Sequence, residues 1–189
     1  MKRNTAPSTA TSNQSGDTLV LDQAGLDAAK NSLSDGAITP AYGPHRDAIV
    51  KLLNDALATE LVCILRYKRH HYTAKGVASP KIAEEFMVHA LEETQHSESI
   101  AERIVQLGGG EPDFSPDTLT ARSHAGYDES KDLQSMIRSN LVAERVAVES
   151  YRQMIALVGD KDHTTRRMLE QILADEEEHA DELSDWLEK

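Results

Sequence analysis

The chain has 189 residues, with 32 acidic against 20 basic side chains and a formal net charge of −12. That length fits one domain, or one domain with a tail, and allows a sizeable core. The negative balance repels nucleic acid and anionic membrane and attracts cations. One cysteine, Cys63, excludes intrachain disulfides, zinc ribbons and paired-cysteine redox modules, and its place on an apolar helical stripe makes it a small core residue. No apolar run is long enough to cross a membrane. Met1-Lys2-Arg3 runs into Asn-Thr-Ala-Pro-Ser-Thr rather than an apolar leader, so a cytoplasmic protein is expected.

Residues 1 to 17 are rich in Ser, Thr, Ala and Asn without periodicity, the composition of a disordered tail. Their charges nearly cancel, unlike a Lys-rich DNA-binding arm. Residues 18–34 offer a short helix through Val20, Leu21, Leu26, Ala29 and Leu33. Gly36 through Pro40, with Gly43 and Pro44, make a linker. The division is a tail and linker over 1–43 and a helical domain over 44–189.

Four long helices follow. The first spans Arg46 to Lys75, with the stripe Ile49, Leu53, Leu57, Glu60, Ile64, Tyr67. The second opens on Ser79 as N-cap with Pro80 at the first helical position and runs to Leu107, with the stripe Ile82, Phe86, Ala90, Glu93, Ser97, Ile100, Ile104. The third runs from Ser130 to Gly159, with the stripe Leu133, Ile137, Leu141, Glu144, Val148, Tyr151, Ile155. The fourth starts near Asp162 and shows Leu169, Ile172, Leu173, Ala180, Leu183 and Leu187, with Glu176 and His179 in the middle of the stripe.

Short joints at Gly76–Ser79 and Gly159–Asp162 make two antiparallel hairpins. The stretch from Gly108 to Glu129, extended at ~3.3 Å per residue, can run the length of a helix of roughly 40 Å. Two hairpins joined by one long crossover make an all-α, ferritin-like four-helix bundle rather than the simple up-down kind.

Each helix thus carries one glutamate on its apolar stripe, Glu60, Glu93, Glu144 and Glu176, and the second and fourth add His96 and His179 in a Glu-x-x-His spacing. Residues three apart share a helix face. Each glutamate lies near the middle of its helix, so all four reach one level whatever direction the helices run. Leu57-x-x-Glu60-x-Val62-x-x-x-x-Tyr67 matches Leu141-x-x-Glu144-x-Val146-x-x-x-x-Tyr151, which reads as a duplicated hairpin with two half-sites about a pseudo-twofold axis. Isolated charges of this kind in a dry core are strongly destabilising, and no basic residue lies on the stripes to neutralise them. Two divalent cations would; mixed oxygen and nitrogen ligands suit iron or manganese, and zinc also binds such sets. The expected ligands are Glu60, Glu93, His96, Glu144, Glu176 and His179, with the histidines terminal and Glu93 and Glu176, one turn before a histidine, bridging. Tyr67 and Tyr151 either hydrogen-bond a ligand carboxylate or pack in the core. His89 either faces an iron path or sits at a polar rim. His45, His70, His71, His124 and His163 are expected in solvent, and Trp186 packs near the chain end.

At these residues the sequence resembles the bacterioferritin branch of the ferritin-like superfamily. The matching stretches are Ala58-Thr59-Glu60-Leu61-Val62, Glu93-x-x-His96 with Ala101-Glu102-Arg103-Ile104, Leu141-Val142-Ala143-Glu144, and Ile172-Leu173-x-Asp175-Glu176-Glu177-x-His179, within residues 46–189. The resemblance implies a di-iron ferroxidase centre inside one subunit, two iron ions per chain, O2 or H2O2 as oxidant, and Fe(III) mineral stored in a homo-oligomeric shell. Three departures shape it. Thr94 stands where bacterioferritins place a haem-ligating Met, so haem is not expected. The chain stops ten residues after His179, leaving no room for their fifth helix, and the crossover is longer than theirs. These point to a dodecameric shell of the Dps-like mini-ferritin kind, rather than a 24-mer. Dps proteins build their site across a dimer interface, so a complete set in one chain describes a Dps-like protein with a bacterioferritin-type centre. The cysteine pair of the thioferritin group is absent. The competing functions are a manganese catalase or a di-iron hydroxylase, which share the ligand pattern, and DNA packaging, which the net charge opposes.

Overall fold

A computed structural model describes residues 19–31 and 33–187; the tail expected over residues 1–17 lies outside them. Among the described residues all regular structure is helical, and no helix is long and apolar enough to cross a membrane. The α-helices are α1 (Gln23–Ala29), α2 (Arg46–Thr73), α3 (Ser79–Leu107), α4 (Pro116–Arg122), α5 (Leu133–Val158) and α6 (His163–Leu187). The four long ones are those expected, with shifted ends. Ser79 does not cap α3: it is the first helical residue, and its hydroxyl donates back to the Gly76 carbonyl at 2.7 Å. α5 starts three residues later than predicted, where the Asp132 carboxylate accepts from the Ser135 amide at 2.9 Å. α3 and α5 both end on glycines with positive φ, Gly108 and Gly159, a backbone that side chains disfavour.

Helix α2 packs most extensively on α3, and α5 on α6, as the short joints require. The crossover climbs α2 by a ladder of hydrogen bonds. Asn54 donates to the Glu111 carbonyl, the His124 amide donates to Thr59, Arg66 donates to the Gly126 carbonyl, and Arg69 donates to the Ser130 carbonyl. The crossover therefore spans the bundle, but it is not all extended chain, because α4 folds within it and packs on α2.

The core face of α5 differs from the predicted stripe. Leu141 and Val148 are only half-buried, while Met136, Asn140, Ala143, Ala147, Met154 and Val158 are buried beside Ile137, Glu144 and Tyr151. Reading by bulk favours leucine and valine, but small alanines let neighbouring helices approach, which packing rewards. Cys63 is buried as expected. His70, expected in solvent, is fully buried: Asn140 Nδ2 lies 3.1 Å from its Nδ1 and Asp128 3.4 Å from its Nε2. Beside it lies a cation that the stripes did not reveal. Arg66 is fully buried and donates to Asn140 at 2.7 Å, to the Gly126 carbonyl at 3.0 Å and to Cys63 Sγ at 3.4 Å. Its hydrogen bonds go to amide, carbonyl and thiol groups and to none of the four core glutamates.

The short N-terminal helix exists as α1, capped by Asp22, but it leaves out Val20, Leu21 and Leu33 and buries none of its residues. The predicted linker is partly folded, with 3-10 turns at Leu33–Asp35 and Pro40–Tyr42. Ile38 and Tyr42 pack on the core, and the Tyr42 hydroxyl donates to Asp162 at 2.6 Å. Asp162 also caps α6 through the Thr165 amide at 2.9 Å and pairs with Arg103 of α3 at 2.9 Å, both side chains being buried. Burial raises its carboxyl, but bonds from Thr165, Tyr42 and Arg103 outweigh that and hold it at about 2. Asp162→Asn keeps a capping oxygen but leaves Arg103 uncompensated, at an expected cost of about 3 kcal/mol, or roughly 6–12 °C in melting temperature. Because the folded pKa is depressed, this stability is present above the unfolded value of about 3.9 and drains as pH falls toward 2. An acid-melting curve of the variant that overlays the wild type would remove Asp162 from this role.

Candidate metal centre

The bundle core is two apolar clusters with a polar layer between them. One holds Leu53, Leu57, Ile100, Ile104, Met154 and Leu169 and the other Tyr67, Ile82, Phe86, Met136, Ile137 and Leu183. Between them Glu60, Glu93, Glu144, Glu176, His96 and His179 are all buried. These six, one or two from each long helix, meet in two groups. Glu60, Glu93, His96 and Glu176 form one, and Glu93, Glu144, Glu176 and His179 the other, with the ligand-type atoms of each group within 4.8 Å of one another.

The two groups repeat each other about the pseudo-twofold axis. His96 Nδ1 lies 3.4 Å from Glu60 Oε2, 3.2 Å from Glu93 Oε2 and 3.2 Å from Glu176 Oε1. His179 Nδ1 lies 3.9 Å from Glu144 Oε2, 3.8 Å from Glu93 Oε1 and 3.8 Å from Glu176 Oε2. Glu93 and Glu176 thus present one oxygen to each histidine. The remaining oxygens of Glu60 and Glu144 are held by tyrosines, crosswise. Tyr151 of α5 donates to Glu60 Oε1 at 2.5 Å, and Tyr67 of α2 donates to Glu144 Oε1. Both tyrosines therefore bond carboxylates of the polar layer, each serving the opposite hairpin.

Without a cation this layer is short of positive charge. Burial first, and then the charges of Glu176, Glu60 and Glu144, push the Glu93 carboxyl well above the usual carboxylate range. Burial and the Glu60 and Glu144 charges push Glu176 up to about 8. Burial also works to raise Glu144, but His179 and Glu176 beside it hold it at about 2. Burial disfavours charge on both imidazoles, yet the carboxylates outweigh it, raising His96 strongly and His179 to about 12. Even so, Glu60 Oε2, Glu93 Oε1, Glu144 Oε2, both Glu176 oxygens and His179 Nδ1 have no hydrogen-bond partner. Burying such atoms unpaired is costly. Ligands about 2.1 Å from one ion lie roughly 3.0 Å apart at right angles and 4.2 Å apart when opposite, the range these contacts occupy. The donor set fits two divalent ions.

The Ferritin-like domain family matches residues 50–189. The chain belongs to the ferritin-like family. The bacterioferritin of Mycobacterium avium is 30% identical over 141 residues, 74% of this chain and 84% of the relative. A nutrient stress-induced DNA-binding protein of a Synechococcus species is 30% identical over 138 residues, 71% and 78% of the two chains. Among solved structures, a dodecameric thioferritin, the bacterioferritin-related protein of Bacteroides fragilis, is similar at a TM-score of 0.72 and 31% identity, over 75% of this chain and 85% of that one.

Within this ferritin-like centre the sequence reading missed two acids. His96 Nε2 faces Asp175 at 3.1 Å across the α3–α6 contact, and His179 Nε2 faces Glu92 at 2.9 Å. Each imidazole thus offers its outer N–H to a carboxylate and turns Nδ1 inward, the arrangement that orients a histidine toward a metal. A signal was present: an acid directly precedes the stripe glutamate in both halves, Glu92-Glu93 and Asp175-Glu176. Glu92→Gln with Asp175→Asn is expected to weaken binding of Zn(II) at the centre by about 10–100-fold, measured by competition with a chelator; unaltered affinity would show that these acids do not orient the rings. His89 is neither at a rim nor in solvent. It is fully buried, stacks on His179 with ring centroids 4.1 Å apart, and lies 3.1 Å from the Tyr67 hydroxyl and 2.9 Å from Glu182 Oε2.

Proposed function

We propose that this ferritin-like chain is a ferroxidase that oxidises Fe(II) at the paired centre and stores the Fe(III) product as mineral inside a shell of its own copies. The observation that supports it is the pair of four-group clusters sharing Glu93 and Glu176. Shared carboxylates with one oxygen toward each histidine suit the bridging role, and Glu60 with His96, and Glu144 with His179, suit the terminal ones. Fe(II) is the substrate here. Each ion loses one electron, and a pair of ions held together supplies the two electrons that take dioxygen to hydrogen peroxide, or hydrogen peroxide to water. The protein's own contribution is to hold two ions close, to neutralise them with four carboxylates, and to hold the imidazoles oriented through Glu92 and Asp175.

The cleft that reaches the centre favours a cation over an organic substrate. It has a volume of about 100 Å³ and is lined by Glu85, Val88, Glu92, Asp175, Glu178, His179 and Glu182. Such a lining attracts Fe(II) and offers little to the apolar substrate of a hydroxylase. For the shell we favour twelve copies, as in the B. fragilis relative, although the single Cys63 of this chain cannot supply the cysteine pair expected of a thioferritin. The Synechococcus relative is named for binding DNA, but a net charge of −12 argues against that here. The deciding experiment is iron retained per chain after aerobic Fe(II) loading and desalting. Many more than two irons per chain is the expected result. A plateau at two would leave a di-metal site and remove storage, turning attention to catalase activity. A native mass of 24 chains would overturn the dodecamer.

A further inference from the structure

Beyond the paired clusters, a third set of ligand-type atoms lies on the outer side of the centre. His89 is one helical turn before Glu93, Glu85 one turn before that, and Glu182 three residues past His179 on α6. Their ligand-type atoms all lie within 4.8 Å of one another, with His89 Nε2 2.9 Å from Glu182 Oε2 and 3.8 Å from Glu85 Oε1. The arrangement belongs to one half only. Its pseudo-twofold counterparts are Met168, Ile172 and Ser99, with no imidazole or carboxylate among them.

Counting hydrogens shows what this pocket lacks. Tyr67 has a single hydroxyl proton, and it goes to Glu144. The 3.1 Å contact between Tyr67 and His89 Nδ1 must then be an Nδ1–H donating to the phenol oxygen. In a neutral imidazole that leaves Nε2 with a lone pair, facing two carboxylates from a fully buried ring. That face of the ring needs a positive partner, either a second ring proton donated to Glu182 or a bound cation. The spacing suits an ion, because ligands about 2.1 Å from a metal and at right angles lie roughly 3.0 Å apart.

We propose that Glu85, His89 and Glu182 form a third divalent-cation site, set in the acidic cleft beside the centre and holding Fe(II) on its way inward. One imidazole and two carboxylates, with Glu85 and Glu182 partly exposed, make an open set with positions left for water, which suits a cation that must also leave. His89 stacks directly on His179, so an ion here is one side chain away from the centre. The site itself stands on its own geometry; its place on the path rests on the ferroxidase reading.

The test is anomalous diffraction at the metal edge from crystals of the full chain soaked in Zn(II) or Co(II), for the wild type and for Glu85→Gln/Glu182→Gln. The expected result is three ions per chain in the wild type, the third bound by Glu85, His89 and Glu182, and two in the variant. Filled paired clusters with nothing at His89, or a third ion that persists in the variant, would overturn the site. A filled third site with empty paired clusters would instead overturn the ferroxidase reading, and a chain that binds no ion would overturn both. Stopped-flow oxidation tests the path: the variant should need several-fold more Fe(II) than the wild type for half-maximal rate. An unchanged half-saturation would take the site off the path.

Discussion

Glu93→Ala and Glu144→Ala are each expected to abolish rapid Fe(II) oxidation while the protein still folds and assembles. Orienting partners such as Glu92 are worth up to about 100-fold in affinity or activity, and loss of a ligand should exceed that. The two variants should differ in what they still bind. Glu93 belongs to both clusters, so its loss disables both, whereas Glu144 belongs only to the His179 cluster. Equilibrium dialysis against Zn(II) should therefore find the His96 cluster occupied in Glu144→Ala and both clusters of the centre weakened in Glu93→Ala. Assembly should survive because both side chains are fully inside the bundle and touch no outer surface. Wild-type oxidation kinetics in both variants would refute the centre outright.

The second large effect is on stability. A site that binds the folded chain alone contributes about 2.7 kcal/mol at a hundredfold excess over Kd. Two ions would thus contribute about 5 kcal/mol, or roughly 10–20 °C in melting temperature for a chain of this size. The metal-free chain should respond to pH in a set direction. Glu93 and Glu176 have folded pKa values raised above the unfolded carboxylate value of about 4.3. Their contribution is full below that value and is lost as pH rises. His96 and His179 are raised too, so theirs is full below about 6.5 and lost above it. Glu144 runs the other way, but only in acid, as pH falls toward 2. The metal-free protein should therefore melt higher at pH 5.5 than at pH 8, and the gain on adding Zn(II) should be larger at pH 8, where fewer protons compete for the ligands. Glu93→Gln replaces a carboxyl that folding must hold protonated against its ordinary pKa, so it should raise the metal-free melting temperature near neutral pH and cancel most of the metal-induced gain. A variant that melts below the wild type without metal would mean that Glu93 contributes to the apo fold rather than burdening it.

The bundle and the six central residues were legible because two periodicities agreed. Glutamates recurring in the middle of apolar stripes at helical spacing identify both the helices and what interrupts their cores, and the glycine-rich joints identify the hairpins. What stayed hidden depends on the angle at which helices meet. Nothing in the spacing of Tyr67 and Glu144, on different helices and 77 residues apart, says that they bond. A tyrosine seven residues past a glutamate on the same helix is about 10 Å along the axis and out of reach, so the partner had to come from the other hairpin. His70 was misjudged, and Arg66 went unnoticed, for a similar reason. Polar residues flanking a stripe look solvated until a crossover, here Gly126 and Asp128, lies over them and supplies their partners. The core face of α5 was misplaced because alanines carry little hydrophobic signal yet decide where helices come close.

The crossed tyrosines bear on the order in which the molecule folds. Contacts within each hairpin are local in sequence and should form early, but each hairpin alone holds a glutamate whose tyrosine belongs to the other. The centre becomes whole only when the two hairpins dock in register, late on the route. Ions that recognise the docked form alone act after the rate-limiting nucleus, so they should leave the folding rate almost unaltered and slow unfolding instead. Cargo, on this view, also sets the lifetime of its container: a chain emptied of metal opens more readily than one still carrying it.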